Sequence, residues 1–200
     1  MTKPVNTAGS PIALHDANEA SSWVRRWSHL VRPGGCVLDV ACGHGRHALW
    51  FHQLGHPVVL VDRSQEAIDS IDIPASACKK TAADIENGPW PFAGQQFDAV
   101  VVTHYLWRPL MPALLASLAP GGVLIYETFA VGNETVGKPS NTNFLLRTGE
   151  LLEVCQKLRV VGFEDGFLPS TASTSARFIQ RVAAVNTATA TPEPCRYLLA

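Results

Sequence analysis

Hydrophobic and polar residues follow two alternating patterns along this 200-residue chain. Short apolar runs of strand length are separated by segments in which apolar residues recur every three or four positions, as on one face of a helix. The predicted strands are 36–41, 57–62, 77–81, 97–103, 122–129, 159–167 and 177–185, and the predicted helices are 16–30, 45–54, 64–71, 109–118 and 148–158. Strands that alternate with helices in this way indicate a parallel sheet covered by helices, an α/β fold.

The most informative segment is 37–47, where an apolar strand leads through an acid and a glycine turn into a helix. Gly43 and Gly45 can adopt backbone angles that other residues resist, and they let a ligand approach the main chain. The unpaired N–H groups at the start of the following helix favour an anion. Asp62 ends the next strand about 20 residues further on, where a carboxylate can accept hydrogen bonds from both hydroxyls of a ribose.

Two kinds of cofactor are compatible with this glycine turn. Residues 43–48, Gly-His-Gly-Arg-His-Ala, satisfy the Gly-x-Gly-x-x-Ala pattern of dinucleotide sites, so an NAD(P)-dependent reductase is one interpretation. A nicotinamide site normally runs from an apolar strand straight into its glycines, whereas Asp39 lies within this strand. A buried acid at that position needs a partner.

Four segments, in order, resemble the motifs of class I S-adenosylmethionine (SAM)-dependent methyltransferases. They are the strand, acid and glycine turn of 37–47, the acid in Ala82-Ala83-Asp84-Ile85, the Phe-Asp pair that opens 97–103, and Leu118-Ala119-Pro120-Gly121-Gly122. The resemblance covers residues 36–130. It implies a Rossmann-like, mostly parallel seven-stranded sheet with helices on both faces and an antiparallel C-terminal edge hairpin. Within the superfamily, Gly-His-Gly-Arg-His resembles tellurite-resistance-type and related small-molecule methyltransferases.

The resemblance also implies where SAM binds. Asp39 would help to receive the cationic methionine portion, Asp62 would bind the ribose, and Asp84 would contact the adenine amino group. The predicted cofactor-binding residues are Asp39, Ala41, Gly43, Gly45, Asp62, Arg63, Asp84, Ile85 and His104. The implied reaction removes the methyl group of SAM and leaves S-adenosyl-L-homocysteine (SAH).

Polar residues that follow the fourth and fifth strands are candidates for the methyl-acceptor side, because open α/β sheets bind ligands at the carboxyl ends of their strands. His104 and Tyr105 come directly after the fourth strand, and Glu127 lies near the end of the fifth. These three are the predicted catalytic residues. As an alternative, His104 lines the methionine pocket through its backbone.

The connection at 130–146 is too long for an ordinary turn, and we expect it to cover the substrate. One lysine and several amide side chains in this segment suit a polar or anionic acceptor. The predicted acceptor-binding residues are Arg46, Asn133, Lys138, Asn141 and Asn143. The alternative is a set of turn-forming Gly, Asn and Pro residues that do not touch a ligand.

Composition narrows the class of protein. A hydrophobic content of 46% over 200 residues is enough for one domain, predicted at 13–186 between a flexible arm at 1–12 and a flexible tail at 187–200. The net charge of −1 provides no basic field, so nucleic acid is not an expected partner. No apolar run is long enough to span a membrane.

Cysteine and histidine spacing argues against a metal centre. The five cysteines form no Cys-x-x-Cys pair, which speaks against a zinc or disulfide framework and for a reducing, cytoplasmic compartment. His44 with His47, and His52 with His56, have helical spacing but lack further ligands, so no metal site is predicted.

These patterns together predict an enzyme that transfers a methyl group from SAM to a small polar acceptor, as a monomer or homodimer. A non-catalytic SAM-binding regulator would keep every cofactor motif and is the main alternative. An NAD(P)-dependent reductase would share the glycine turn and Asp62, but would need neither Asp39 nor the Pro120-Gly121-Gly122 turn.

Overall fold

A computed structural model describes residues 19–171, 174–187 and 196–199. The strands are β1 (Val37–Val40), β2 (Val58–Asp62), β3 (Cys78–Ala82), β4 (Phe97–Thr103), β5 (Leu118–Phe129), β6 (Arg159–Leu168) and β7 (Arg177–Val185). The α-helices are α1 (Ser22–Trp27), α2 (Arg46–Gln53), α3 (Gln65–Asp69), α4 (Met111–Ala116) and α5 (Glu150–Val154). Short 3-10 turns occur at Ser28–Leu30, Arg108–Leu110, Asn133–Thr135 and Thr142–Phe144.

The seven strands form one sheet in the order β3-β2-β1-β4-β5-β7-β6. The first five strands in this order are parallel, and β7 runs antiparallel to both β5 and β6. The predicted fold, including the antiparallel C-terminal edge, is therefore confirmed. Because the chain moves outward from β1 to β3 and then returns to β4, the strand order reverses between β1 and β4, where α/β sheets form a ligand-binding crevice.

Helices cover both faces of the sheet. Trp23 of α1, Phe51 of α2 and Ile68 of α3 belong to one buried cluster, and Leu114 of α4 and Leu151 of α5 belong to the other. The apolar side chains of β1 and β4 lie between these clusters, which explains why their sequences read as nearly continuous hydrophobic runs.

The helices are shorter than predicted. In place of 16–30, α1 begins at Ser22 because the side chain of Ser21 accepts a hydrogen bond from the N–H of Val24; the 16–18 part lies outside the described residues. In place of 148–158, α5 begins after Gly149, whose φ of +72° interrupts helical geometry. Within the described ranges, no helix is long and apolar enough to cross a membrane.

Of the two predicted flexible ends, the arm at 1–12 lies outside the described residues. In the described part of the 187–200 tail, Tyr197 packs against the buried cluster beneath α1, α2 and α3. The carbonyl oxygen of Leu198 lies 3.1 Å from Nε2 of His29, which follows α1. The domain boundaries stay a prediction.

The contact between α1 and β6 is close enough to test. Trp27 is 1% exposed, and a Cβ added at Gly162 would overlap its indole ring. We expect Gly162→Ala to lower the free energy of unfolding by about 1–3 kcal/mol, the usual cost of overpacking, measured by urea denaturation.

Gly166 in the same strand supplies a matched control, since a Cβ added there would meet nothing within 4 Å. Gly166→Ala should change stability by less than about 0.5 kcal/mol. Equal effects of the two substitutions would contradict the close packing of Trp27 on β6.

Candidate active site

Two adjoining depressions open at the carboxyl ends of the parallel strands. The first, with a volume of about 1370 Å³, lies at the ends of β1, β4 and β5 and is called the larger cleft. The second, about 380 Å³, lies at the ends of β2 and β3 and is called the smaller pocket. Ala41 lines both, so they form one extended site around the turn that follows β1.

The turn after β1 is built from left-handed backbone conformations, with φ of +52° at Ala41, +52° at Gly43 and +72° at Gly45. At Gly45 an added Cβ would come within 2.6 Å of Ile71 Cδ1, so glycine is needed for packing. At Gly43 an added Cβ would meet nothing within 4 Å. Gly43 lines the larger cleft, and its bare backbone lets a ligand reach the main chain.

Asp39 lies buried below this turn, with 1% of its surface exposed. Its Oδ2 accepts a hydrogen bond of 3.1 Å from the N–H of Ala48, which fixes α2 against β1. Its Oδ1 is also buried, and no described residue donates a hydrogen bond to it. Burial raises the pKa of Asp39 to about 7, although the Ala48 hydrogen bond and the charge of Arg46 oppose this shift. Asp39 itself lines neither depression, so only a cationic or N–H-bearing group that reached below the turn would satisfy this oxygen.

Asp62 is held rigidly at the end of β2. Its Oδ2 accepts a hydrogen bond of 2.8 Å from the N–H of Gly43, and its Oδ1 accepts one of 2.9 Å from the N–H of Ser64. Each carboxylate oxygen has a second acceptor site, and Asp62 lines the smaller pocket. The carboxylate therefore couples the glycine turn to the surface where a ribose is predicted to bind.

The remaining predicted adenosine contacts surround the smaller pocket. Asp84 accepts hydrogen bonds from the backbone N–H groups of Glu86 and Asn87 and from the Asn87 side chain, which hold its pKa below the usual range. Ile85 is 8% exposed and adds an apolar wall, and Arg63 lies at the same pocket.

Tyr105, predicted on the acceptor side, lines the smaller pocket instead. Its hydroxyl is buried and forms no hydrogen bond of regular geometry with a described residue, although the Glu86 carboxylate lies close enough to interact with it. Burial is the main cause that raises its pKa above the ordinary range, so the hydroxyl stays protonated. The sequence could not reveal this separation, because His104 and Tyr105 are adjacent in the chain but face different parts of the site.

His104 lies in the larger cleft and has a left-handed backbone, with φ of +52°. Its ring stacks on Phe129 at a centroid distance of 5.2 Å, and its Nδ1 lies 3.5 Å from Nη2 of Arg46. Loss of solvent around the ring and the charge of Arg46 lower the pKa of His104, while the charge of Glu127 opposes the shift. The ring is therefore neutral at pH values near 7.

Backbone strain is concentrated in the larger cleft. Ala41 and His104 are the non-glycine residues with positive φ in the described part of the chain, and both line this cleft. Each such conformation costs on the order of 1–3 kcal/mol and is typical of functional sites.

Glu127 is 5% exposed and carries an arginine partner from the neighbouring strand. Nη1 of Arg181 lies 2.9 Å from Oε2 of Glu127, in the cross-strand position that faces it. The same guanidinium contacts Glu164 at 2.5 Å and lies over the ring of Trp23 at 4.7 Å. The negative charge of Glu127 in the larger cleft is thus compensated by Arg181 of the adjacent strand.

The segment 130–146, called the cover loop, borders both depressions. Asn133 and Lys138 line the larger cleft, and Phe144 lines the smaller pocket. Arg108 holds the far end of the loop by donating to the carbonyl oxygens of Asn143 at 2.7 Å and Leu145 at 2.8 Å. The loop is therefore an ordered wall of the site.

The amide side chains of Asn133 and Asn141 form hydrogen bonds within the protein. The side chain of Asn133 donates to the carbonyl oxygen of Pro139 and accepts from the N–H of Phe178. The side chain of Asn141 accepts a hydrogen bond from the N–H of Asn143. Asn141 and Asn143 line neither the larger cleft nor the smaller pocket.

Arg46 and His47 open α2 beside the site but differ in role. Both line the larger cleft, but His47 is only 2% exposed and its pKa is lowered to about 3 by burial. Nε2 of His47 accepts a hydrogen bond of 3.3 Å from the N–H of Ser21, and Nδ1 lies 3.4 Å from Oγ1 of Thr103. The neutral ring of His47 thus connects α2 to the start of α1 and to the end of β4. No three His, Cys, Asp or Glu residues group as metal ligands in the described ranges.

Arg177 lines the larger cleft but is not among the residues predicted from the sequence. Because β7 is antiparallel to β5, its first residue lies at the same sheet edge as the carboxyl ends of the parallel strands. The sequence signal that could have indicated this position is a basic residue at the start of a predicted antiparallel strand. Arg181 had no such signal, since only the strand register places it opposite Glu127.

Comparisons with known proteins agree with this arrangement. Residues 37–122 match the family model described as a methyltransferase domain. Malonyl-[acyl-carrier protein] O-methyltransferase from Serratia marcescens is 32% identical over 107 residues, which are 50% of this chain and 41% of that protein. The chain thus matches less than half the length of this curated relative.

Solved structures show the same fold. TehB from Haemophilus influenzae superposes with a TM-score of 0.67 at 19% identity, over 83% of this chain and 62% of that one. An S-adenosylmethionine-dependent methyltransferase from Mesorhizobium loti gives 0.63 at 18% identity, over 86% and 100% of the two chains. The glycopeptide N-methyltransferase MtfA in complex with SAM gives 0.58 at 18% identity, over 91% and 99%.

The sheet order is that of the solved methyltransferase structures, and residues 37–122, which contain the glycine turn and the buried acid, match a methyltransferase domain, so the chain has the class I SAM-dependent methyltransferase fold. The predicted fold is confirmed, and the match over residues 37–122 agrees with the predicted superfamily and with its cofactor. The comparisons favour SAM over the nicotinamide alternative, because the matched relatives are methyltransferases.

The orphaned oxygen of Asp39 generates a pH-dependent prediction. The folded pKa of about 7 exceeds the unfolded value near 3.9, so ionising this carboxyl destabilises the fold, and stability is lost as the pH rises through that interval. Asp39→Asn should therefore be more stable than the wild type, by an amount that grows by about 2 kcal/mol or more between about pH 5 and pH 8.

Urea unfolding of the SAM-free protein at the two pH values measures this difference, and calorimetry should show weaker SAM binding by the variant. A stability difference that is the same at both pH values would contradict the raised pKa of Asp39.

Proposed function

We propose that the protein transfers the methyl group of SAM to a small polar acceptor bound in the larger cleft. The observation that supports this most directly is the continuity of the site at Ala41. Residues suited to a nucleoside surround the smaller pocket on one side, and polar side chains around His104 line the larger cleft on the other.

The residues around the glycine turn fit SAM. The open oxygen of Asp39 is a partner for its cationic methionine portion, the bare backbone at Gly43 allows close approach, and Asp62 has free acceptor sites for the ribose. Tyr105 joins Asp84 on the proposed adenosine side. When bound, SAM supplies a methyl carbon attached to a sulfonium sulfur. A lone pair of the acceptor forms the new bond to this carbon, while the electrons of the breaking carbon–sulfur bond stay on sulfur and give SAH.

His104 is the proposed group that receives a proton from the acceptor, where the acceptor bears one. Its lowered pKa keeps the ring neutral at pH 7, so a ring nitrogen can accept a proton without first losing one. Phe129 fixes the plane of the ring, and the contact of Nδ1 with Arg46 is long enough to be exchanged for an acceptor group.

Positioning is the second contribution proposed for the protein. Holding the acceptor in line with the methyl group can supply on the order of 7–11 kcal/mol in well-oriented reactions. The cover loop, held at its end by Arg108, and the buried Glu127–Arg181 pair provide fixed walls for this purpose.

The cytoplasmic location, the monomeric or homodimeric state and the absence of a nucleic-acid partner stay predictions. A non-catalytic SAM-binding regulator stays the alternative, because such a protein would keep the same cofactor contacts.

The deciding experiment is calorimetric titration of ligand-free protein with SAH, with NAD and NADP in parallel, followed by a screen of small acceptors for SAH release from SAM. Binding of SAH alone together with release by at least one acceptor supports the proposal. Binding of SAH without release by any acceptor favours the regulator, and binding of a dinucleotide instead overturns the cofactor assignment.

Removal of the Asp62 carboxylate tests the cofactor site. We expect Asp62→Ala to weaken SAH binding by about 10-fold or more, because a charge-assisted contact is worth about 1.5–3 kcal/mol. Asp69→Ala removes an exposed carboxylate of α3 outside both depressions and should leave the affinity unchanged. Unchanged affinity in Asp62→Ala would refute the ribose assignment.

Replacement of His104 tests the proton acceptor. Asparagine tolerates the left-handed backbone and does not titrate near neutral pH, so His104→Asn should lower kcat by about 100-fold while SAH affinity is kept. In the wild type, kcat/KM should rise with pH to a plateau through a pKa below about 6.5, and this acidic limb should vanish in the variant.

His52→Asn replaces a histidine of α2 outside both depressions and serves as the control. Loss of SAH binding in His104→Asn would place the ring with the cofactor instead of the acceptor.

A further inference from the structure

Positive charge exceeds negative charge around the larger cleft. The two glutamates that line it already have arginine partners: Glu19 lies 3.1 Å from Arg25, and Glu127 lies 2.9 Å from Arg181. The basic residues lining the cleft are Arg25, Arg46, Lys138 and Arg177. The acidic charge is therefore compensated, while basic charge is left over.

Lys138 and Arg177 supply that remaining charge from separate parts of the chain. Lys138 belongs to the cover loop, and Arg177 is the first residue of β7. Neither forms an ion pair with any residue in the described ranges. The Arg177 guanidinium donates one long hydrogen bond, 3.4 Å, to the carbonyl oxygen of Ser175, so most of its five N–H donors can serve a ligand.

Arg46 differs from these two residues in position. It lies on the first turn of α2, directly after the glycine turn, where the carboxylate of SAM itself needs a donor. Lys138 and Arg177 belong to the cover loop and to β7, which meet where the backbone N–H of Ala130 donates to the carbonyl oxygen of Phe178. Neither residue is part of the glycine turn or of α2, so we assign them to a second charged group in the cleft.

We propose that the methyl acceptor carries a negatively charged group, a carboxylate or a comparable oxyanion, which Lys138 and Arg177 bind in the larger cleft. This inference rests on the proposed function and names the substrate class of the same site. The surroundings favour an anion, since His104 is neutral and the charge of Glu127 is held by Arg181. Arginine and lysine at one site are typical donors to a carboxylate or phosphate.

Calorimetry on the SAH-saturated protein tests the proposal with defined probes. Malonate, succinate and benzoate are each titrated beside the corresponding amide, and inorganic phosphate is titrated separately, at low and high NaCl concentration. The variants are Lys138→Gln, Arg177→Gln and the double substitution. Lys157→Gln and Arg159→Gln are the matched controls, because both residues are exposed and lie outside both depressions.

We expect at least one carboxylate to bind more tightly than its amide, with an affinity that falls at high salt. Each single variant should weaken that binding by about 10-fold or more, and the double variant further, whereas the two controls should not. In the acceptor screen, the same variants should raise KM for an anionic acceptor and leave the affinity for SAH unchanged. Tight binding of phosphate alone would support the oxyanion class and identify its source as inorganic.

Three results would overturn the proposal. One is that no anion binds more tightly than the neutral amides; the second is that anions bind but all the variants and controls behave alike. The third is a loss of SAH affinity in Lys138→Gln or Arg177→Gln, which would assign these cations to the cofactor. Failure of the wild type to bind SAH is a separate result and would refute the proposed function itself.

Discussion

The buried carboxyl of Asp39 is the constraint on which the site depends. Its hydrogen bond to the N–H of Ala48 draws the start of α2 against the end of β1, so the connecting turn must be very tight. The chain meets this demand with left-handed conformations at Ala41, Gly43 and Gly45. The second carboxyl oxygen is left without a donor, which lowers the stability of the ligand-free protein. The same atom is the one proposed above as the partner of the cationic portion of SAM.

The end of β4 divides the site into its two halves. The left-handed backbone of His104 turns the chain as it leaves the strand, so that His104 lies in the larger cleft and Tyr105 lies in the smaller pocket. The strain at Ala41 and at His104 occurs at the two strand ends where the strand order reverses. Both strained residues are held by the buried strands below them, which allows a costly backbone to persist.

Ion pairs between residues that are distant in sequence hold the other walls of the site in place. Arg181 balances Glu127, and Arg108 forms a bidentate ion pair with Glu150 at 2.7 and 2.9 Å while it holds the cover loop. Burial keeps His47 neutral, so it can join α1 to α2 without carrying a charge. Lys138 and Arg177 line the larger cleft without an ion-pair partner in the described ranges, and they are therefore the charged groups proposed to bind a ligand.

The sequence by itself determined the α/β alternation, the glycine turn and the buried acid, and it singled out Asp62 and Asp84, which line the smaller pocket. These features depend on local periodicity and on short spacings such as that from Gly43 to Asp62, which a single chain segment contains. Only the tertiary structure decided that His104 and Tyr105 separate, that Asn141 and Asn143 lie away from the cleft, and that Arg177 lies at it. These placements follow from backbone dihedrals and strand register, and neither quantity is encoded in the hydrophobic pattern of one segment, because both arise when distant elements pack together.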